Sequence, residues 1–287
     1  MKGLKKIFIN LIVVVMLVSA CFAFAGCKDV REMELTVSVY NNETDETEEV
    51  TLTVELYGHL AKETVDAIEG YINDGYYNDA IFYLFGDGSY MKQLMVGDLK
   101  YSAENGIVQN DIKPELDKAE FTRGGTKGSN LTSEKGAIGL WRTWYASDNE
   151  YRTNSNALTS GRATWYIPTS TISSYNDWFC VFAQIDFEEE GNEDALNKII
   201  KGCDREDADF TEYVIYYTGE YDETKADQNH GLTFNCVEKA DYQEDEIDDL
   251  FVAEGEQYVC YNKTNIKVPV VLTTGEPAVK IISAKMA

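Results

Sequence analysis

From residue 33 onward the chain alternates apolar and polar positions in short runs. Residues 33–40 (MELTVSVY) and 50–57 (VTLTVELY) have the period of half-buried strands, with Val50, Leu52, Val54 and Leu56 on one face. The acidic stretch from Glu43 to Glu49 between them is predicted to be a solvated hairpin connection. Over Ala61–Asn73 the period changes: Val65, Ile68, Tyr71 and Ile72 share one helical face, and Gly75 follows as a stop. Strands are predicted near 79–85 (DAIFYLF) and 89–96 (about the run YMKQLMVG), and residues 102–135, polar and Gly-rich, as a long loop. Strands resume at 137–145 (AIGLWRTWY), 162–168 (RATWYIP) and 179–187 (FCVFAQIDF). A second helix follows over 193–201 (EDALNKIIK), burying Leu196, Ile199 and Ile200. The tail from 268 to 286 is predicted as two strands, VPVVLTT and AVKIISAKM.

Many short strands with two helices predict a mainly β fold, a closed antiparallel barrel capped or plugged by the helices. Residues 204–265 are extra: acidic, Tyr-rich, with strand-like runs TEYVIYYTG, GLTFNCVE and EQYVCYN. They form either an insertion packed on the barrel or a small subdomain.

The first 27 residues have a different pattern. Lys2, Lys5 and Lys6 precede an apolar run from Ile7 to Val18 broken only by Asn10, then small residues and a cysteine. This is an export signal rather than a structural helix. Small residues before a cysteine resemble a bacterial lipobox, in which the thiol is lipidated and becomes the new first residue. Two cysteines compete. Val18-Ser19-Ala20-Cys21 fits better at its first position, whereas Phe24-Ala25-Gly26-Cys27 is followed by the polar Lys28-Asp29 expected of a tethered chain. Cys27 is favoured, with residues 1–26 removed and 27–49 holding the anchor, linker and first strand; an ordinary secretory signal or an uncleaved membrane helix is the alternative. No second segment reaches the ~20 apolar residues that span a bilayer. The expected location is the extracytoplasmic face of the cell membrane, held by lipid.

Composition narrows the chemistry. The chain has 287 residues, and 25 Lys+Arg against 50 Asp+Glu give a net charge of −25; three of the bases lie in the leader, leaving −28 without it. Such a field repels nucleic acid and anionic membrane, so nucleic acid is excluded as a partner and the membrane is reached through the anchor only. Two histidines leave little room for His-based catalysis or a multi-His metal site. His59 and His230 read as lone surface residues. The acid clusters Glu43–Glu49, Glu188–Glu190 and Asp241–Asp249 lack the calcium-loop pattern and read as solvated surface. Gly86-Asp87-Gly88 is a turn, not a phosphate loop. Cys180, Cys203, Cys236 and Cys260 could pair in three ways outside the cytoplasm, although Cys180 sits in an apolar run and reads as a buried free thiol. No pair has CxxC spacing. The tyrosines Tyr213, Tyr216, Tyr217, Tyr221, Tyr258 and Tyr261 read as strand core and rim. No metal or cofactor is implied, and the chain reads as a monomer.

The run VTLTVELYGHLAKETVDAIEGYINDGYYNDAIFYLF resembles the opening of cyclophilin-type peptidyl-prolyl cis-trans isomerases, where Glu-Leu-Tyr, Lys-Thr-Val, Gly-Tyr-Tyr and Ile-Phe-His-Arg-Val follow in order. YMKQ (90–93) is similar to that family's Phe-Met-x-Gln, and LWRT (140–143) to its bacterial Met-Ala-Arg-Thr. ATWYI (163–167), CVFAQI (180–185) and AVKIISAKM stand where Ser-Gln-Phe-Phe-Ile, Val-Phe-Gly-Lys-Val and the last strand are expected. The resemblance covers 50–98, 136–201 and 276–286, and implies a cyclophilin-like domain over 50–287 with its insertion at about 204–265.

The chemistry it implies is rotation of an X-Pro bond, with a barrier of about 18–20 kcal/mol and an uncatalysed time of about 10–100 s. An apolar pocket holds the proline ring, and a donor favours the twisted amide; in the family that donor is the Arg of His-Arg-Val. Here Tyr83 stands at the His and Leu84 at the Arg, so the central donor is gone. By analogy with deleting one preorganised donor, about 3–4 kcal/mol or 10²–10³ in rate is lost. Thr164 stands at a substrate-orienting Gln, and Trp141 at a small Ala. Tyr90, Met91 and Tyr166 are expected to line the proline pocket, and Gln93 matches its counterpart. Ser174 and Tyr175 stand at a Trp-Leu pair and Phe179 at a His, which implies weak cyclosporin binding. Arg142 and Arg162 are the candidate surrogate donors. The implied partners are Pro-containing segments of exported proteins. The resemblance leaves two functions: a weak isomerase, or a non-catalytic pseudo-isomerase serving as a peptide-binding or interaction module.

Overall fold

The structure, a computed structural model, describes residues 29–41, 43–86, 92–111, 113, 121–122, 125–126, 131–142, 161–176, 179–204, 210–218, 233–242 and 264–287, with the main chain alone at 121–122, 125–126, 142, 161–162, 215–218, 233–235 and 264–265. The leader, both lipobox cysteines, Tyr90, Met91, Cys260 and the run EQYVCYN lie outside the described residues, as do the side chains of Arg142 and Arg162.

The chain opens with a long hairpin. β1 (Val30–Asn41) pairs antiparallel with β2 (Glu46–Tyr57) from Val30↔Tyr57 to Asn41↔Glu46. Half of the acidic stretch expected as a connection is therefore strand. Cross-strand pairing continues past the barrel wall, and the turn falls at Asp45, which has a φ of 56°. α1 (Lys62–Asn73) follows with Thr64, Val65, Ile68 and Ile72 buried, and packs against β15 (Val279–Met286) and β2. α2 (Asn192–Cys203) buries Ala195, Leu196 and Ile199 and packs against β1 and β2.

The remaining barrel strands are β3 (Tyr83–Phe85), β4 (Gln93–Val96), β9 (Ala137–Arg142), β10 (Gly161–Pro168) and β11 (Cys180–Ile185). They run in the order β3-β4-β10-β9-β11-β2-β1-β15 with every pair antiparallel. The circle closes just before β3. Asp79 N donates to Ile281 O (2.9 Å), Ile281 N to Ala80 O (2.8 Å) and Phe82 N to Val279 O (3.1 Å). The closed antiparallel barrel with two helices expected from the pattern is thus present.

Two regions depart from expectation. The loop expected over 102–135 begins with a hairpin of β5 (Leu99–Ser102) and β6 (Gly106–Gln109), and contains a short pair, β7 (Phe121–Thr122) and β8 (Gly125–Thr126). β5 and β6 are half-exposed along most of their length, so their apolar alternation is weak. The insertion is an extension of the barrel sheet. β12 (Phe210–Thr218) pairs with β13 (Thr233–Glu238) and with β14 (Thr264–Pro269), and β14 pairs with β3 through Lys267↔Leu84. The first of the two tail strands is the end of β14.

Alternation on β3, β4 and β10 sends neighbouring residues into two separate cores. Phe82, Leu94, Val96, Trp165 and Ile167 fill the barrel with Leu35, Val37, Leu52 and Val54. Ile81, Tyr83, Met95 and Tyr166 point outward and join Tyr175, Phe179 and, from the insertion, Tyr213, Ile266 and Val268. Strands buried on both faces read as continuous apolar runs, as DAIFYLF does.

Candidate functional site

The outer face of β3, β4 and β10 carries the positions that the resemblance assigns to substrate, and most of them bind one another. Gly97 makes the turn after β4 with a φ of 110°; a Cβ there would lie 2.9 Å from Ala163 O, so only glycine lets the turn pass against β10. That passage sets Asp98 between two strands. Tyr83 donates its hydroxyl to Asp98 Oδ2 at 2.6 Å, and Thr164 donates its own to Asp98 Oδ1. Desolvation pushes the Asp98 carboxyl up to about 6, although both hydroxyl bonds favour its charged form. Thr164, expected at a substrate-orienting position, and Tyr83, which stands at the family's His, are thus both bonded to one part-buried acid.

Leu84 is half-buried and packs against the barrel-interior core, not the outer face, so the position expected to hold the donor is turned away from the outer cluster; it pairs with Leu94 of β4 on one side and Lys267 of β14 on the other. The insertion therefore runs alongside the position of the missing donor. Cys236 of β13 also faces this region, and burial together with the Asp98 charge raises its thiol pKa.

Next to this lies a cluster of rings. Tyr166 is fully buried, with its hydroxyl 2.9 Å from Ser133 Oγ. Its ring covers Gly139, where a Cβ would meet it at 2.3 Å. Phe179 lies 5.1 Å from Tyr166 edge to face and Tyr175 5.4 Å from it, also edge to face. Trp141, half-buried, stacks on Phe179 at 4.9 Å and 17°, with Phe85 at 5.5 Å. Such contacts are the preferred geometries of aromatic pairs. Ser133 is itself held by Asn176 Oδ1, which accepts from Ser133 N at 2.8 Å.

Gln93 forms the floor. It is fully buried and its Nε2 lies 3.5 Å from Met95 Sδ. Burial pushes the Tyr175 hydroxyl up, against a hydrogen bond from the Gln93 side chain. The Gln93 Oε1 has no hydrogen-bond partner among the described residues.

The structure therefore brings together Gln93, Trp141, Tyr166, Tyr175 and Phe179, and places Thr164 beside them on Asp98. Ser174 is exposed on the short helix Ser173–Tyr175. Tyr166, expected to line the proline pocket, is itself fully buried, with its ring on Gly139 and among Trp141 of β9, Tyr175 of the short helix and Phe179. Arg142 ends β9 opposite Gly161, and Arg162 lies in β10. Cys180, Cys203 and Cys236 form no disulfide among the described residues; Cys180 and Cys203 are buried, Cys180 Sγ lying 3.8 Å from Thr64 Oγ1 and Cys203 donating its thiol to Phe82 O at 3.5 Å. Two residues central to this face, Asp98 and Ser133, have no place in the sequence expectation. Asp98 had a signal: an acid inside the apolar run MVGDL has to find donors or a positive partner.

No family model and no curated protein matches the chain. Among solved structures, it is similar to the cyclophilin-type peptidyl-prolyl cis-trans isomerase of Cryptosporidium parvum in the presence of the dipeptide Ala-Pro, at 15% identity over 56% of this chain and 85% of the other, with a TM-score of 0.33. A second structure of that isomerase matches at 13% identity over 61% of this chain and 91% of the other, with a TM-score of 0.35.

Proposed function

We propose that this chain is a lipid-anchored, extracytoplasmic protein built on a cyclophilin-like barrel, and that it works as a non-catalytic pseudo-isomerase, an interaction module rather than an efficient enzyme. The cyclophilin part rests on the order of motifs from VELYGHLAKETV to AVKIISAKM along a closed antiparallel barrel. Lipidation at Cys27, with export ahead of it, rests on the basic, apolar and small-residue order of the leader.

One observation carries the non-catalytic half. Polar groups at the expected substrate positions are bonded internally: Thr164 by Asp98, which also holds Tyr83, and Tyr166 by Ser133 and its ring neighbours, while Leu84 supplies no donor and packs toward the barrel interior. Catalysis of X-Pro rotation needs a donor free in the ground state and aimed at the twisted nitrogen.

The test is isomerisation of Ala-Xaa-Pro-Phe peptides by the chain from Lys28 onward, wild type beside Leu84→Arg. Both are expected to match the uncatalysed rate, because restoring the cation leaves the ring cluster in place. Robust wild-type turnover would overturn the proposal. Turnover by Leu84→Arg alone would mean an open pocket that lacks only its donor.

A further inference from the structure

We propose that the insertion strands β12, β13 and β14 are a flap closed over Asp98: it stays shut while that carboxyl is protonated and loosens from the barrel when it ionises. Neither the lipid anchor nor X-Pro chemistry enters into this. The insertion is fastened to the barrel more by side chains than by backbone. Within it, β12 pairs with β13 from Tyr213↔Glu238 to Thr218↔Thr233 and with β14 from Phe210↔Pro269 to Ile215↔Thr264. Toward β3 it has one ladder pair, Lys267↔Leu84. β14 runs into β15 through a tight turn, where Ala278 N donates to Pro269 O at 2.8 Å and Val271 N to Glu276 O at 2.7 Å. This end is the hinge. β13 is the outermost described strand of the sheet and lies against β6, so it is the edge that swings.

The outer core holds the flap shut. Tyr213, Ile266 and Val268 pack with Tyr83, Met95 and Leu99, and Cys236 is half-buried beside them. Asp98 sits within that contact, since Leu99 follows it and Tyr83 bonds it. An apolar contact accommodates a charge only at a cost unless a partner offsets it. The groups that face the carboxyl are the hydroxyls of Tyr83 on β3 and Thr164 on β10, Tyr77 ahead of β3, and the Cys236 thiol on β13. None of these is a cation. Charged groups on the packing elements are engaged elsewhere: Lys100 of β5 faces Asp111 at 3.6 Å, Glu212 of β12 takes Lys239 and, at 3.8 Å, Lys267, and the exposed Glu238 of β13 acts on Tyr213. The two hydroxyl bonds do not make up for lost hydration, and desolvation lifts the carboxyl to about 6. With the flap open, Asp98 regains water and an ordinary value near 4. The closed form therefore holds the proton more tightly and is favoured at low pH; closure weakens as pH rises from about 4 to about 6, and the open-to-closed ratio grows by at most about 10²-fold.

The experiment labels the full-length protein with a neutral maleimide at about pH 5 and about pH 7.5, and reads each cysteine by peptide mass spectrometry. Wild type is compared with Asp98→Asn, which has no charge to gain. The ratio of the two proteins at one pH cancels the intrinsic pH dependence of a thiol. At Cys236 this ratio is expected to rise about tenfold between the two pH values. Cys180 and Cys203, buried in the barrel, are expected to keep a constant ratio. The direct field of ionised Asp98 works the other way, since it raises the Cys236 pKa and slows labelling. A flat or falling ratio at Cys236 would overturn the proposal. A rise shared by Cys180 and Cys203 would assign the effect to unfolding of the whole domain and overturn it as well. Where Asp98→Asn does not fold, hydroxyl-radical footprinting of wild type alone decides. Met95, beneath the flap, is expected to gain oxidation over the same pH range relative to Met33 in the barrel core, and an unchanged ratio of the two would sink the proposal.

Discussion

Trp165 and Tyr166 are adjacent on β10 and belong to different cores. Trp165 faces the barrel interior, edge to face with Tyr77 and Phe82, among Leu, Val and Ile side chains. Tyr166 faces outward into rings and hydroxyls, with Ser133, Asp98 and Gln93 nearby in the same layer. The interior is held by shape and apolar area, which need only volume and patterning. The outer face is held by directional contacts among groups that could otherwise have met a ligand. The difference teaches where such a fold can change function. Interior substitutions alter the barrel itself, whereas outer ones change directional contacts between polar groups and rings with the barrel unchanged.

The largest test of that division is Trp165→Ala. Truncating a large buried aromatic costs about 3–5 kcal/mol, and urea denaturation is expected to show the loss as a lower midpoint of the whole cooperative transition. Trp141→Ala, a half-buried ring on the outer face, is expected to cost less and to leave the far-UV spectrum unchanged. An equal cost at both sites would break the comparison.

The next test concerns Asp98, whose carboxyl rises from 3.8 to about 6 in the folded chain. A folded pKa above the unfolded one means that the folded state holds its proton more tightly. The native state is therefore favoured while Asp98 is protonated, and this contribution fades as pH rises from about 4 to about 6, by at most about 3 kcal/mol. Asp98→Asn removes the titration and leaves an acceptor for one hydroxyl. Unfolding free energies measured from pH 4 to 7 are expected to fall for wild type relative to Asp98→Asn over that window, and to run parallel above it. Parallel curves throughout would mean that Asp98 ionises as it does in an unfolded chain.

The same contrast explains what the sequence made legible. The interior was written in period-two runs such as VTLTVELY and in the helical face of Val65, Ile68 and Ile72, because one buried face leaves a simple pattern. The outer core was harder to see. In IFYLF both faces are buried, so no alternation marks which residues leave the barrel. The motif order placed Gln93, Thr164, Tyr166, Tyr175 and Phe179 in one neighbourhood, and the structure gathers them there. It could not show that their polar groups turn toward Asp98 and Ser133, which lie outside those motifs and meet them only through the fold. The register of β14 beside β3 was equally hidden, since a single bridge at Lys267↔Leu84 leaves no trace in composition.

The smallest expected effect isolates one such polar contact. Ser133 Oγ and Tyr166 OH are 2.9 Å apart and buried, and a hydrogen bond of this kind contributes about 1 kcal/mol net. Tyr166→Phe keeps the ring stacking but leaves the Ser133 hydroxyl without this partner, so it is expected to cost about 1–2 kcal/mol. Ser133→Ala removes the other half. The double variant is expected to be less destabilised than the sum of the two, because neither hydroxyl is then buried alone; a coupling of about 1 kcal/mol in denaturation midpoints would show it. Strict additivity would mean that the two hydroxyls act independently and that the rings alone keep Tyr166 in place. In that case the outer face, like the interior, would be governed by shape, and the distinction between the two cores would rest on Asp98 alone.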